Sequence, residues 1–320
     1  MEYRLLGRSG LRVSAIGLGG NTFGGAGCDA QQTAAIVDRA LELGINHFDC
    51  ADTYGAGGGS ERNLGAALAG RRDDAIVATK TGFPLGSGPN ADGLSRRRII
   101  NNCEASLKRL GMDYVDIFYL HRPDPRTDID ESLDALNDLV RQGKVRYAAC
   151  SNYSGWEIAR MVERAQRHGW AAPVVSQSRY SVLSREVELD VVPATLAYGM
   201  SIVPYSPLAG GLLTGKYRAG EPPPAGTRAA RSARMQELLN NAGMAVVERL
   251  LAFARERGHT GGDLALAWLL AQPTVCSVIA GVTSPEQVSA NVAALDWKLS
   301  AEELAEIDAI VADWPAGLDT

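Results

Sequence analysis

Lysine is nearly absent from the cations of this chain. Of 32 basic residues only five are lysine (Lys80, Lys108, Lys144, Lys216 and Lys298), and 27 are arginine. Composition explains the skew. Arginine stays charged, however, while lysine can shift its pKa and enter acid–base chemistry, so the position of each lysine carries information. Cysteine is scarce too. The five (Cys28, Cys50, Cys103, Cys150 and Cys276) are odd in number and form no CxxC pair. That argues against a disulfide framework and points to reduced, mostly buried thiols in a cytoplasmic protein. There is no HExxH, no Cys/His cluster and no carboxylate pair at ligand spacing, so no metal site is expected. Positive charge is not in excess: 32 basic against 37 acidic residues leave a net charge of −5, which argues against nucleic-acid binding through general basic charge. A long apolar run is missing as well. The longest uncharged stretch, Leu264 to Pro285, spans 22 residues and is interrupted by Gln272-Pro273. It reads as helix, turn and strand, not as a membrane span. The opening MEYRLLGRSG has no apolar signal core.

What the chain does have is length and rhythm. With 320 residues, 46% of them hydrophobic, it can bury a large core without staples. Residues 1–14 read as a hairpin with GRSG as its turn. One unit then recurs eight times: a short apolar run, a loop, and a segment of helical period. The runs are Ile16–Leu18, His47–Asp49, Ile76–Lys80, Tyr114–His121, Val145–Ser151, Val174–Gln177, Ser201–Tyr205 and Val275–Ala280. Their helical segments are Gln31–Leu43, Ser60–Leu68, Arg97–Leu110, Glu131–Arg141, Trp156–His168, Glu186–Tyr198, Ala245–Arg257 and Pro285–Leu295. Strands apolar on both faces are buried parallel strands. Eight such units imply an α/β fold, a (β/α)8 TIM barrel in one domain of residues 1–320, with an N-terminal β-hairpin plug. An extra C-terminal helix covers Ala301–Val311, and Leu208–Arg234 is a long Gly/Pro/Arg loop of the kind that is functional or disordered. The rival architecture, a doubly wound sheet, would need a nucleotide fingerprint after its first strand. Gly17-Leu18-Gly19-Gly20-Asn21-Thr22 has Thr at the third glycine position, and no helix starts there.

In a TIM barrel the chemistry lies at the C-terminal ends of the strands. Here those ends carry Asp49, with Tyr54 shortly after it, then Lys80, His121, Ser151-Asn152, Gln177 and Tyr205-Ser206. Singly, each could be a cap or a packed polar residue. Jointly, one of only five lysines and one of only four histidines end adjacent strands beside an Asp and a Tyr. Tyrosine, with an ordinary pKa of about 10, is a poor acid at neutral pH. A nearby ammonium lowers that pKa, a carboxylate holds the ammonium charged, and a neutral imidazole can orient a carbonyl. Such a quartet can protonate an oxygen while hydride arrives at carbon.

The order of motifs resembles the aldo-keto reductase superfamily over essentially the whole chain. It is carried by LGRSGLRVSAIGLGG, GINHFDCADTYG, GGSERNLGAAL, IVATK, SLKRLGMDYVDIFYLHRPD, GKVRYAACSN, YSPLAGGLLTGKY and SPEQVSANVAAL. The resemblance implies a barrel that binds a nicotinamide dinucleotide without a Rossmann fold and reduces a small-molecule carbonyl. It implies a catalytic tetrad of Asp49, Tyr54, Lys80 and His121, with Tyr54 the general acid. It implies cofactor contacts from Gly20 and Asn21, from Ser151, Asn152 and Gln177 to the nicotinamide amide, and from Tyr205 to the ring. Ser206, Pro207, Leu208, Gly210 and Lys216 would follow the pyrophosphate. Gly281, Thr283, Gln287 and Asn291 would surround the adenosine end, where a helix N-terminus suits a phosphate. Phe23, Phe83 and Arg122 are candidate pocket walls; the two Phe could equally be core, and Arg122 a solvated arginine.

Two positions depart from the family pattern. Position 50 is Cys where Thr is usual, read as a packing variant, the alternative being an oxidisable thiol near the site. Position 283 is Thr where many relatives place a basic residue for the 2′-phosphate, and Ala280 to Asn291 contains no Lys or Arg. NADPH is the implied cofactor, with NADH open. The alternatives are an NAD-dependent aldose dehydrogenase and a slow, cofactor-binding regulatory subunit. A P-loop reading of Gly210–Lys216 fails because Tyr217 follows the lysine and Pro222–Pro224 denies the helix. Arg218, Arg228, Arg231 and Arg234 either clamp phosphates or form a solvated face. The sequence does not determine the oligomeric state.

Overall fold

The computed structural model describes residues 1–25, 27–227, 229–239, 242–315 and 318, with the side chains of residues 231, 233 and 234 left out. A two-stranded antiparallel hairpin, β1 (Tyr3–Leu5) and β2 (Arg12–Ser14), comes first. The elements then alternate: β3 (Ile16–Gly19), α1 (Ala30–Glu42), β4 (His47–Asp49), α2 (Tyr54–Ala67), β5 (Ile76–Thr81), α3 (Arg96–Leu110), β6 (Val115–Leu120), α4 (Ile129–Arg141), β7 (Val145–Ser151), α5 (Gly155–His168), β8 (Val175–Arg179), α6 (Val191–Ala197) and β9 (Ser201–Tyr205). After β9 come α7 (Ala233–Leu239), α8 (Gly243–Glu256), α9 (Gly261–Leu270), β10 (Val278–Gly281), α10 (Pro285–Ala293) and α11 (Ala301–Val311).

The eight strands β3 to β10 pair in parallel, with β10 beside β3. The ring is brought together on the other side by the segment before β10: Ile202 N donates to Thr274 O (2.7 Å), and Cys276 N donates to Ile202 O (3.2 Å). This is the (β/α)8 barrel that the repeat predicts. Strand alternation sorts the apolar residues into two cores. Ile76, Ala78, Ile117, Tyr119, Ala149, Val175, Val203 and Ile279 fill the barrel with Leu6 and Val13 of the hairpin segment. Val77, Phe118, Ala148 and Ile202 face the helix layer instead.

The helices begin and end where local chemistry says they should. Asp29, Ser154, Thr260 and Ser300 each close a capping box, and Gly111 and Gly169 end α3 and α5 in the left-handed region.

Three details differ from the pattern-based reading. The expected helix Glu186–Tyr198 is a short 3-10 turn, Glu186–Glu188, followed by α6. The long loop carries two 3-10 turns, Ala209–Thr214 and Ala229–Arg231, and then α7. After Lys216 no helix follows, as the three prolines require. The helix that packs on the barrel beside β10 and α10 is α9, whereas α8 packs against α9 and α11. Its sequence shows why: Leu264 to Leu270 are all buried, as suits a helix covered on both sides. Regular α2 begins only after Gly58, in keeping with the expected Ser60–Leu68 segment, because Gly55, Ala56, Gly57 and Gly58 form a left-handed run.

Candidate active site

β4 and β5 are adjacent, with His47, Phe48 and Asp49 opposite Ile76, Val77 and Ala78. The alternation of β5 turns Lys80 into the barrel and Thr79 and Thr81 outward. Lys80 is wholly buried and Asp49 is 3% exposed. Lys80 Nζ donates to Asp49 Oδ2 at 2.5 Å and to Cys50 O at 2.9 Å. Burial works to discharge this ammonium, but Asp49, reinforced by Tyr54, outweighs it and holds Lys80 above its ordinary pKa. Asp49 Oδ1 accepts from Gln177 Nε2 of β8 (2.9 Å), so both carboxylate oxygens have partners.

Tyr54 follows β4 in a turn that runs alongside β5. Cys50 N donates to Ala78 O (2.9 Å) and Asp52 N to Lys80 O (3.4 Å). Lys80 Nζ lies 5.0 Å from the centre of the Tyr54 ring. Burial raises the phenol's pKa above its ordinary value; Lys80 pulls it down without overcoming burial. The direction is opposite to the lowering expected from the ammonium alone.

His121 continues β6, its N–H donating to Thr81 O (2.8 Å). Its ring meets Tyr54 edge-on at 5.9 Å and Phe83 at 4.6 Å. Burial first, then Lys80 and Arg122, depress its pKa to about 2, so the imidazole is neutral. Its Nδ1 is buried with no hydrogen-bond partner.

The remaining candidates line the same rim. Asn152 donates to His121 O (2.9 Å) and Ser151 Oγ (3.0 Å), and accepts from Tyr205 Oη (2.8 Å). Gly20 N donates to Asp49 O (2.7 Å), tying the loop of Asn21 to β4. Asn21 and Lys216 are exposed, Pro207 is buried, and Leu208 and Asn291 are half-buried. Thr283 N and Oγ1 both donate to Gln287 Oε1, at 2.8 and 3.4 Å, at the start of α10. All four non-glycine residues with positive φ among the described residues (Ala56, Asn152, Ser206 and Ala209) sit on loops at the strands' C-terminal ends. Each costs roughly 1 kcal/mol or more, and such strain collects at ligand-holding sites. Ser206 and Ala209 to Gly211 turn the backbone as anion-cradling loops do. The glycines of this loop and the exposed Lys216 are compatible with a nucleotide phosphate.

The pocket-wall candidates divide. Phe23 is 1% exposed inside the helix-layer core, so it is a packing residue and not a wall. Phe83 is half-buried against His121. Arg122 stacks on Phe83 at 4.6 Å, with Asp92 3.9 Å away, and is not simply solvated. Arg218 is exposed; Arg228 and the side chains of Arg231 and Arg234 lie outside the described residues. Cys50 is a packing residue: its thiol donates to Ala78 O (3.2 Å), and burial, with Glu61 and Asp49, pushes its pKa well up. The other four cysteines are buried too.

The strand-end inventory missed a second layer. Glu61 is wholly buried, accepting from Thr79 Oγ1 (2.6 Å) and Arg109 Nε (2.5 Å). Asp52 is wholly buried and accepts from Asn102 Nδ2 (2.7 Å). The signal was present in IVATKT: if Lys80 points inward, two threonines face the helix layer and need polar partners. Tyr119 was missed as well; its buried ring lies 5.6 Å from Lys80 Nζ.

A TIM barrel with a buried Lys–Asp pair, a tyrosine and a neutral histidine at its C-terminal rim defines a class of carbonyl-handling enzymes. The chain belongs to the aldo/keto reductase family, whose model matches residues 15–312. It is 39% identical over 324 residues to a putative voltage-gated potassium channel subunit beta of Schizosaccharomyces pombe, covering 97% of this chain and 93% of that protein. It is 39% identical over 336 residues to L-glyceraldehyde 3-phosphate reductase of Escherichia coli O157:H7, covering 100% and 96%. It is 31% identical over 329 residues to versiconal hemiacetal acetate reductase of Aspergillus parasiticus, covering 95% of each. The protein is an oxidoreductase acting on carbonyls. The family uses nicotinamide cofactors. Among the described residues no group of three or more His, Cys, Asp or Glu is arranged to hold a metal ion, and no helix is long and apolar enough to cross a membrane.

Proposed function

We propose that the protein reduces aldehydes and ketones with NADPH, with Tyr54 as the general acid. The observation that carries this reading is the buried Lys80–Asp49 pair, whose ammonium lies 5.0 Å from the Tyr54 ring. Tyr54 stays protonated and gives its proton to the carbonyl oxygen as negative charge develops there. Lys80 offsets the phenolate that forms, and Asp49 keeps Lys80 charged. His121, neutral at physiological pH, donates to the carbonyl oxygen and orients it. Burial of this set keeps bulk water from competing for the proton.

Ser151, Asn152 and Gln177 would hold the nicotinamide amide, and Tyr205 its ring. In the structure Gln177 is engaged with Asp49, so this role requires it to turn or to share its donor. The group's chemistry, when bound, is donation of hydride to the carbonyl carbon. The positive-φ loop at Ser206 and Gly210, with Pro207, Leu208 and Lys216, would carry the pyrophosphate. Gly20, Asn21, Gly281, Thr283, Gln287 and Asn291 would surround the rest of the cofactor. Phe83 and Arg122 flank His121 at the mouth. Together with the glyceraldehyde 3-phosphate reductase relative, Arg122 supports a small carbonyl substrate bearing a negative charge.

The test is the ratio of kcat/KM for NADPH and NADH, measured with a panel of neutral and phosphorylated aldehydes. Turnover with NADPH preferred is expected. A strong NADH preference, with aldose oxidation outpacing aldehyde reduction, would favour the dehydrogenase reading, which the lack of a basic side chain from Ala280 to Asn291 motivates. The channel-subunit relative motivates a slow regulatory protein, and tight cofactor binding without turnover on any carbonyl would favour that.

A further inference from the structure

Behind the Lys80 strand lies a polar cluster that the proton-transfer chemistry does not use. Asp52 sits in the turn that ends at Tyr54, two residues before it. Its side chain points away from the barrel. Asn102 of α3 donates at once to Asp52 Oδ2 and to Thr81 Oγ1, both at 2.7 Å. Thr81 is the residue after Lys80, on the outward face of β5. One amide thus ties the turn that presents Tyr54 to the strand that presents Lys80. The other oxygen, Asp52 Oδ1, is buried and has no hydrogen-bond partner. An ionised carboxylate with a bare buried oxygen is far costlier than a neutral acid that carries its proton there.

The charged surroundings agree. Glu61 of α2 is the second carboxylate of the cluster; Arg98 and Arg109 of α3 are its cations, and Arg109 is already bonded to Glu61 (2.5 Å). Lys80 turns its ammonium to the opposite side of β5, against Asp49. Burial, then Glu61, raise the Asp52 pKa to about 7, while Arg98, Arg109 and, least, the backbone N–H of Thr53 act the other way.

We propose that Asp52 is a positioning residue which, as the neutral acid, locks the Tyr54 turn against β5 through Asn102, and that ionisation, by drawing its bare oxygen toward water or the α3 arginines, displaces the turn and slows proton donation. The inference rests on the reading of Tyr54 as the acid.

The test compares wild type with Asp52→Ala, Asp52→Asn and Asn102→Leu in the reductive direction. Asp52→Ala and Asn102→Leu should each lower kcat by about tenfold or more, with the KM for carbonyl and the Kd for NADPH within about twofold, because misplacement of the acid costs rate and not binding. Asp52→Asn, which keeps the acceptor for Asn102 and stays neutral, should recover most of that loss. Wild-type kcat should decline through neutral pH, and Asp52→Asn should lack that inflection. Infrared difference spectra should show a protonated-carboxyl band that titrates near neutrality in wild type and is missing from Asp52→Asn. An active wild type whose Asp52→Ala variant keeps its kcat, or an Asp52→Asn variant that keeps the inflection, overturns the inference alone. A wild type that reduces no carbonyl overturns the underlying reading, and the inference falls with it.

Discussion

Lys80 Nζ lies 2.5 Å from Asp49 Oδ2, and neither side chain reaches solvent to any useful extent. The attraction of this pair balances the desolvation of two charges, so neither partner tolerates loss of the other. Asp49→Asn leaves a buried ammonium without a counter-charge. We expect the unfolding free energy to fall by about 3–5 kcal/mol. Lys80→Met should be similarly damaging, and the double variant should be more stable than either single one, although inactive. Urea titrations of the four proteins give the coupling directly; additive losses would contradict the pairing.

Tyr54→Phe removes only the hydroxyl. Reductive kcat should fall by about 10²–10⁴, the usual contribution of a general acid. NADPH binding, followed by quenching of intrinsic fluorescence, should be unchanged. Residual activity near that of wild type would move the proton-donor role elsewhere.

Lys80→Arg keeps the charge but replaces a compact ammonium by a planar fork in a site with no room to turn it. Activity should fall nearly as far as in Tyr54→Phe. Wild-type rates in this variant would mean that charge alone suffices.

His47, at the start of β4, is buried, with Nδ1 paired to Ser277 Oγ (2.9 Å) and Nε2 unpartnered. Burial, with Lys80 adding to it and Asp49 opposing, lowers its pKa from 6.5 to about 4. The unfolded chain therefore takes up a proton below pH 6.5 that the folded protein refuses. The stabilisation is full above pH 6.5 and is lost as pH falls from there to about 4, in total roughly 3 kcal/mol. His47→Gln should be less stable than wild type at pH 7.5, with the gap narrowing toward pH 4; a gap constant across that range would refute the assignment.

Gly65 of α2 faces the C-terminal turn of α3 so closely that a Cβ would lie 2.1 Å from Leu110 O. Because the obstacle is backbone, the helices must separate. Gly65→Ala should destabilise by about 1–3 kcal/mol, read as a lower urea midpoint with an unchanged slope. Wild-type stability would mean that α2 can shift freely.

The strand rhythm, the hairpin, the glycine caps and α11 were legible in the sequence because they are written in neighbouring residues. So were the strand ends, and with them Asp49, Tyr54, Lys80 and His121. Periodicity could not say which of α8 and α9 lies on the barrel, since both segments carry apolar helical patterns. Nor could it separate the two candidate phenylalanines: Phe23 is enclosed by other elements, whereas Phe83 faces His121.

By itself the sequence determined the barrel and the order of chemical groups around its rim, because a period of two or 3.6 and the residue ending each strand are local properties. Only the tertiary structure decided the state of those groups. Whether burial or Lys80 governs the Tyr54 phenol, whether His121 is neutral, and whether Asp52 finds Asn102 fifty residues away depend on desolvation and on contacts between distant segments. Those are set by how the segments pack, which no local pattern encodes.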